Sequence, residues 1–172
     1  MNYFPGRGQV ALFLPSLRGG GAERVMVNLA RGFAERKLKV DLVLTKAEGP
    51  YLGEMSDLVR IIDLKASRVF RSLPKLVRYL RKERPEALLS ALDHANIVAL
   101  WAKKIARVPT RVVVSVHSTT SIASAHAQNL PGRLMPFLMH FFYPWADKVV
   151  AVSEDAADDL VKTAKLLREK IK

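Results

Sequence analysis

Three consecutive glycines, Gly19, Gly20 and Gly21, stand directly before Ala22, Glu23 and Arg24, and these residue types point most directly to chemistry. Without Cβ atoms the backbone takes positive φ freely, and a ligand can approach the main-chain N–H groups unobstructed. A helix starting at Ala22 or Glu23 aims its unsatisfied N–H groups and the positive end of its dipole at the same place. An anionic group, a phosphate above all, is stabilised there. A flexible turn that holds no ligand is the other reading of the same glycines. The turn has neither the G-x-G-x-x-G dinucleotide fingerprint nor the Lys-Ser/Thr of a P-loop, which argues against NAD binding and Walker-type ATP hydrolysis.

His117 ends the β-branched run 112–116. A histidine at the carboxyl end of a strand projects into the cleft where open α/β sheets bind ligands. There it can donate a hydrogen bond to a sugar hydroxyl or a phosphate, or change protonation near neutral pH. A purely structural histidine is the alternative. Ser118 beside it, and Asp93 and His94 after the run 86–91, are assigned to the same cleft, although Asp93 serves equally well as the N-cap of the helix behind it. Ser153 and Glu154 border the cleft too, but here the structural reading leads, with Ser153 as a cap and Glu154 and Asp155 as first-turn carboxylates. No G-x-S-x-G elbow surrounds any serine, so a hydrolase triad is poorly supported. His94, His117, His126 and His140 show no ligand spacing and no Asp-x-Asp pair occurs, so no metal site is expected.

The elements that must position these residues follow from periodicity. The continuous apolar run 10–14, stopped by Pro15, reads as a strand buried on both faces of a parallel sheet. Residues 22–37 change to a helical period, with Val25, Met26, Leu29 and Phe33 on one face. Further strands are expected at 40–45, 59–64, 86–91, 112–116 and 147–152. Further helices are expected at 73–82, capped by Ser72, at 94–107, and at 154–170. Strands separated by helices imply right-handed crossovers. The expected fold is a Rossmann-like three-layer αβα sandwich with a mostly parallel sheet of about six to seven strands, a single domain over residues 1–172.

Composition narrows the partners. The 172 residues carry 28 Lys plus Arg against 16 Asp plus Glu, a formal charge of +12, so phosphates, lipid headgroups or nucleic acid are favoured. Cysteine is absent, which removes thiolate chemistry and fits a reducing compartment. No stretch reads as a membrane span or signal peptide, so the expected setting is the cytoplasm, at most peripheral to the cytoplasmic face of a membrane. Between Arg68 and Arg84 seven basic residues are opposed only by Glu83, which is half of the net charge. Leu73, Leu76, Val77 and Leu80 form an inward stripe there, and Arg71, Lys75, Arg78 and Lys82 an outward one that can be a solvated face or a contact with anionic lipid. The apolar stretch 134–145 reads as a helix buried against the sheet, with an interfacial segment as the alternative. Aromatic residues do not interleave with the basic stripe, which places nucleic acid below membrane.

Two strings taken together, Leu14-Pro15-Ser16-Leu17-Arg18-Gly19-Gly20-Gly21-Ala22-Glu23-Arg24 and Ala146-Asp147-Lys148-Val149-Val150-Ala151-Val152-Ser153-Glu154, with His117 after its valine-rich strand, resemble the N-terminal domain of the retaining GT-B glycosyltransferases of family four. The resemblance implies transfer of a sugar from a nucleotide-sugar donor to a polysaccharide, lipopolysaccharide or glycolipid acceptor, with retention, without metal or other cofactor, in a cleft between two domains. It places Gly20 and Gly21 near the donor diphosphate or an acceptor phosphate, His117 near the donor sugar as the catalytic candidate, and the acceptor on this domain. The Glu-x7-Glu pair of the family's second domain does not occur, so the chain is expected to be the acceptor-side part of a longer enzyme and inactive alone. A non-catalytic basic module that binds anionic membranes or polyanions is the competing expectation.

Overall fold

The structure is a computed structural model that describes residues 8–117 and 130–172. Six strands form one sheet: β1 (Gln9–Leu14), β2 (Lys39–Leu44), β3 (Val59–Asp63), β4 (Ala87–Ala91), β5 (Arg111–Val116) and β6 (Lys148–Ala151). Every pairing is parallel and the order is β3-β2-β1-β4-β5-β6. Among the described residues, five helices of eight or more residues connect and flank them: α1 (Gly21–Glu35), α2 (Leu73–Glu83), α3 (Asp93–Ala106), α4 (Met135–Phe142) and α5 (Glu154–Thr163), with a single helical turn at Leu130–Arg133 before α4. The expected α/β sandwich is present, with β1 at the centre and the strand order reversing between β1 and β4.

Side chains that alternate along the buried strands feed two cores. Ala11 and Phe13 of β1 join a cluster with α2, α3, α4 and α5, whereas Leu12 and Leu14 join one with α1. The α1 stripe differs from its expected face. Ala22, Met26, Val27, Ala30 and Ala34 are buried and Phe33 half-buried, but Val25 and Leu29 are exposed. Three alanines let the α1 backbone approach the sheet closely, and the helix turns that small-residue side inward at the expense of the bulkier one.

The last helix is also shorter than its expected 154–170. It stops at Thr163, passes through Lys165 at φ 51°, makes a short 3-10 turn over Arg168–Lys170, and brings Ile171 alongside Val149 of β6 in a parallel bridge. Ala164, Leu166 and Ile171 are buried by this turn. A straight helix would leave them in water, so tertiary burial overrides local helical preference. Ser72 does not cap α2: its hydroxyl donates to the Val69 carbonyl at 2.6 Å inside a preceding 3-10 turn. The stretch 134–145 is not a buried helix either. Met139 and Tyr143 are enclosed, but Leu134, Phe137, Phe141 and Trp145 are exposed.

A polar staple fixes the amino-terminal edge of the sheet. Asp41 of β2 is fully buried and accepts hydrogen bonds from Arg60 Nε (2.8 Å) and Nη2 (2.6 Å), Tyr79 OH (2.6 Å) and Gln9 Nε2 (2.6 Å). Arg60 also reaches Glu83 at 2.6 Å, so one carboxylate joins β1, β2, β3 and α2.

Candidate functional site

The carboxyl ends of β1, β4 and β5 hold the residues with chemical potential. After β1 the chain turns through Gly19 at φ 112°, a conformation that L side chains rarely adopt, and Gly20 forms the N-cap of α1 in extended geometry. No side chain caps this helix. Among the described residues, a side chain at Gly21 would meet nothing within 4 Å, which leaves its face of the turn open to them. The Glu23 carboxylate, by contrast, folds back over Gly20 and sits at the positive end of α1. An incoming phosphate must displace it, exchanging one anion for another at the helix start.

A neighbouring loop holds the turn in place. Leu17 N–H donates to the Glu48 carbonyl at 2.9 Å, Arg18 grips the Glu48 carboxylate at 2.6 Å, and Tyr51 OH donates to the Gly19 carbonyl at 3.3 Å. Arg24 pairs with Glu54 and lies 4.0 Å over the Tyr51 ring, so its guanidinium fastens this loop. Gly49, at φ 115°, packs its Cα directly on the Leu17 carbonyl, where any Cβ would collide. Sequence reasoning missed this second loop; the Gly49-Pro50 pair after β2 was its one local signal.

His117 is half-buried at the end of β5, with Nε2 3.0 Å from Ser115 Oγ. Burial lowers its pKa and Glu23 pulls the other way, which leaves a neutral imidazole at pH 7 with Nδ1 unpartnered among the described residues. At the end of β5, His117 lies on the same carboxyl edge of the sheet as the start of α1. Ser118 and His126 lie outside the described residues.

Asp93 is the first residue of α3 and not its cap, which is Leu92 at φ 74°. The left-handed turn at Leu92 carries Asp93 inward, where Tyr143 OH reaches Oδ1 at 3.5 Å. Burial raises the Asp93 pKa to about 6, opposed by that hydrogen bond. Asn96, one helical turn on, donates Nδ2 to the Ser115 carbonyl and to Tyr143 OH, each at 3.0 Å, and so ties α3 to the strand that carries His117. The Asn96 Oδ1 has no partner among the described residues. His94 is half-buried and burial lowers its pKa.

Asp93 yields a test. The folded chain keeps its proton up to about pH 6, whereas an unfolded aspartate releases it near about 3.9. The folded state binds more protons between those values, so stability falls as pH rises through the window. Asp93→Asn is expected to raise stability at pH 7 by about 1 to 2 kcal/mol and to flatten the decline between pH 4 and 6, read by thermal denaturation across pH. A carboxyl that weakens its own fold at neutral pH belongs to a site more readily than to a core.

Ser153 caps α5, accepting from Ala156 N–H at 3.2 Å, and Glu154 pairs with Arg168. Both are engaged in structure. Lys75, Arg78 and Lys82 are exposed on α2, and Arg71 is exposed in the 3-10 turn before it. Beside the glycine turn, over the ends of β1, β2 and β3, a cavity of about 580 Å³ is lined by Arg18, Lys46, Lys65 and Arg68, by the carboxylates of Glu48 and Asp63, and by Ser16 and Thr45 among others. The hydroxyl of Thr45 there is buried without a partner among the described residues. Among the described residues no group of three or more His, Asp or Glu is placed to hold a metal ion, and no helix is long and apolar enough to cross a membrane.

A parallel sheet whose order reverses beside an uncapped, glycine-led helix defines the class: a Rossmann-like α/β domain of the GT-B kind. Residues 19–172 match Glycosyltransferase Family 4, and the chain belongs to that family. It is 25% identical, over 92% of its length, to GalNAc-alpha-(1->4)-GalNAc-alpha-(1->3)-diNAcBac-PP-undecaprenol alpha-1,4-N-acetyl-D-galactosaminyltransferase of Campylobacter jejuni, of which it covers 45%. The Anabaena protein Alr3699/HepE, solved in complex with UDP-glucose, superposes with a TM-score of 0.71 at 20% identity, over 95% of this chain and 42% of that one. Sucrose-phosphate synthase from Thermosynechococcus elongatus superposes with a TM-score of 0.74 at 17% identity, over 96% and 47%. The chain therefore spans less than half the length of these relatives.

Proposed function

We propose that this chain is the acceptor-side domain of an enzyme that moves a sugar from a nucleotide-sugar donor to a polysaccharide, lipopolysaccharide or glycolipid acceptor, with retention at the anomeric carbon and without a metal ion. The observation that carries the reading is the open glycine turn at the positive end of α1, set beside a neutral His117. Bare amides at a helix start suit the charge that develops on a departing diphosphate, and a neutral imidazole suits a hydrogen bond to a sugar hydroxyl. Gly19, Gly20, Gly21 and Ala22 supply the backbone, Glu23 yields its place to the phosphate, and Arg24 keeps the turn in shape. The basic cavity over β1, β2 and β3 receives the acceptor. The Campylobacter relative's lipid-linked acceptor and the UDP-glucose bound to the Anabaena protein support these substrate classes. The enzyme works in the cytoplasm, in keeping with a cysteine-free chain.

The test is transfer from UDP-sugars to an undecaprenyl-diphosphate-linked glycan, assayed with the 172-residue chain and with the same domain in its full-length polypeptide. Product with a retained anomeric configuration is expected from the longer polypeptide alone, because the donor half of the transition-state surroundings lies in a second domain. Turnover by the 172 residues by themselves contradicts the half-site reading, and an inverted product contradicts retention.

A further inference from the structure

The apolar stretch that does not bury itself needs a partner. Helix α4 is apolar on every side apart from His140, yet only its Met139 side is enclosed against the protein. A helix that is apolar all round is normally covered on all sides. Here Phe137 and Phe141, ring centroids 4.6 Å apart, are 59% and 51% exposed, and Leu134 and Trp145 extend the same stripe at both ends. Helix α4 packs on α3, and α3 on α2, so the three lie side by side over one face of the sheet. A chain of ring contacts, Phe70 to Trp101 to Phe142 to Trp145, crosses that layer, with Phe70 and Ile105 also exposed along it.

The charges around these rings are mostly basic, the exception being Asp147, which pairs with Lys103 at 2.6 Å. Arg71 bonds to Ser67 Oγ, Lys75 to the Lys65 carbonyl and Arg81 to the Ile105 carbonyl, and none of the three meets a carboxylate among the described residues. Arg78 and Arg107 make no ion pair among the described residues, and Lys104 lies 5.6 Å over the Trp145 ring. Exposed aromatic rings flanked by uncompensated Arg and Lys match the headgroup region of an anionic bilayer, where rings enter the acyl boundary and cations meet lipid phosphates.

We propose that the outer surface of α2, α3 and α4 is a membrane-docking face for anionic lipid, with Phe137, Phe141 and Trp145 inserted and Arg71, Arg78 and Arg107 on the headgroups. Helix α2 follows β3 and runs back from the carboxyl edge of the sheet, so its first residues lie at the same edge as the glycine turn, whereas Trp145, Lys104 and Arg107 meet at the end of α3. The surface stands independently of the transferase reading, since binding to lipid requires no turnover.

The experiment is sedimentation of the chain with phosphatidylcholine vesicles and with phosphatidylcholine vesicles containing about a third phosphatidylglycerol. Binding to the anionic vesicles, weakened by salt and accompanied by a blue shift of tryptophan emission, is expected. The Phe137→Ser/Phe141→Ser variant should bind about tenfold more weakly or worse, and Arg71→Glu/Arg78→Glu should do the same. The altered side chains are exposed, so the thermal transition of both variants should match the parent. Undiminished binding by the phenylalanine variant overturns the proposal, as does no binding to anionic vesicles. A concentration-dependent dimer that the same variant dissolves would assign the face to a second copy instead, and DNA binding tighter than vesicle binding would assign it to a polyanion; either result overturns it.

Discussion

Asp41→Ala should lower stability by about 3 kcal/mol and the thermal midpoint by roughly 10 °C. The carboxylate is fully buried and holds four hydrogen bonds from three side chains, so its removal leaves the Arg60 guanidinium half-enclosed without its main partner and the Tyr79 hydroxyl buried without an acceptor. Breaking a buried pair from one side costs more than the pair contributes, because the remaining charge stays desolvated. Burial by itself would raise the Asp41 pKa, but the Arg60, Tyr79 and Gln9 bonds outweigh it and hold the carboxyl below its usual value. A depressed folded pKa means that this stabilisation is complete above the unfolded value near about 3.9 and is lost as pH falls through the folded one. The parent should therefore lose stability on acidification below about pH 4, and Asp41→Ala should lose less over the same interval. Tyr79→Phe, which removes one bond and leaves the ion pair, should cost about 1 kcal/mol. Calorimetry of the three proteins checks the order, and an Asp41→Ala midpoint equal to the parent's would show that the staple contributes nothing.

In the full-length polypeptide, His117→Ala is expected to reduce sugar transfer by about 10² to 10³-fold while shifting stability by less than about 1 kcal/mol. The imidazole is half-buried and its protein hydrogen bond, to Ser115 Oγ, is one that water can replace at an open strand end. The loss in rate follows from removing a positioned donor where charge develops, and that loss should fall on kcat more than on KM. Because burial lowers the His117 pKa, the neutral form should persist to a more acidic pH than an ordinary histidine allows. Kinetics of the variant, with a melting curve taken on the same preparation, separate this role from a structural one. A variant that transfers sugar at the parent's rate contradicts it.

What could be read in the sequence was local. The strand that stops at Pro15, the glycine turn, the start of α1 and the Ser153 cap each depend on residues within a few positions of one another, and the structure shows all four. The features that eluded the sequence join residues far apart. Asp41 meets Tyr79 38 positions away, Asn96 meets Tyr143 47 positions away, and Gly19 meets Tyr51 32 positions away. Such pairs leave no periodic trace, and each member alone reads as an ordinary polar residue. The early end of α5 and the rotation of α1 have the same origin, since both follow from where the sheet offers burial and not from the helix's own pattern. The apolar pattern of 134–145 fits both a buried helix and an interfacial one, because hydrophobicity alone cannot say which side of a helix finds a neighbour.

The most direct test of the proposed phosphate binding at the glycine turn is amide NMR of the 172-residue chain titrated with inorganic pyrophosphate and with UDP. The account predicts that the resonances of Gly20, Gly21, Ala22 and Glu23, together with the His117 ring, move in a saturable way, with Glu23 leaving its place over Gly20. Resonances that stay fixed at the turn while those of Arg71 before α2 and of Lys75 and Arg78 on it move would contradict it.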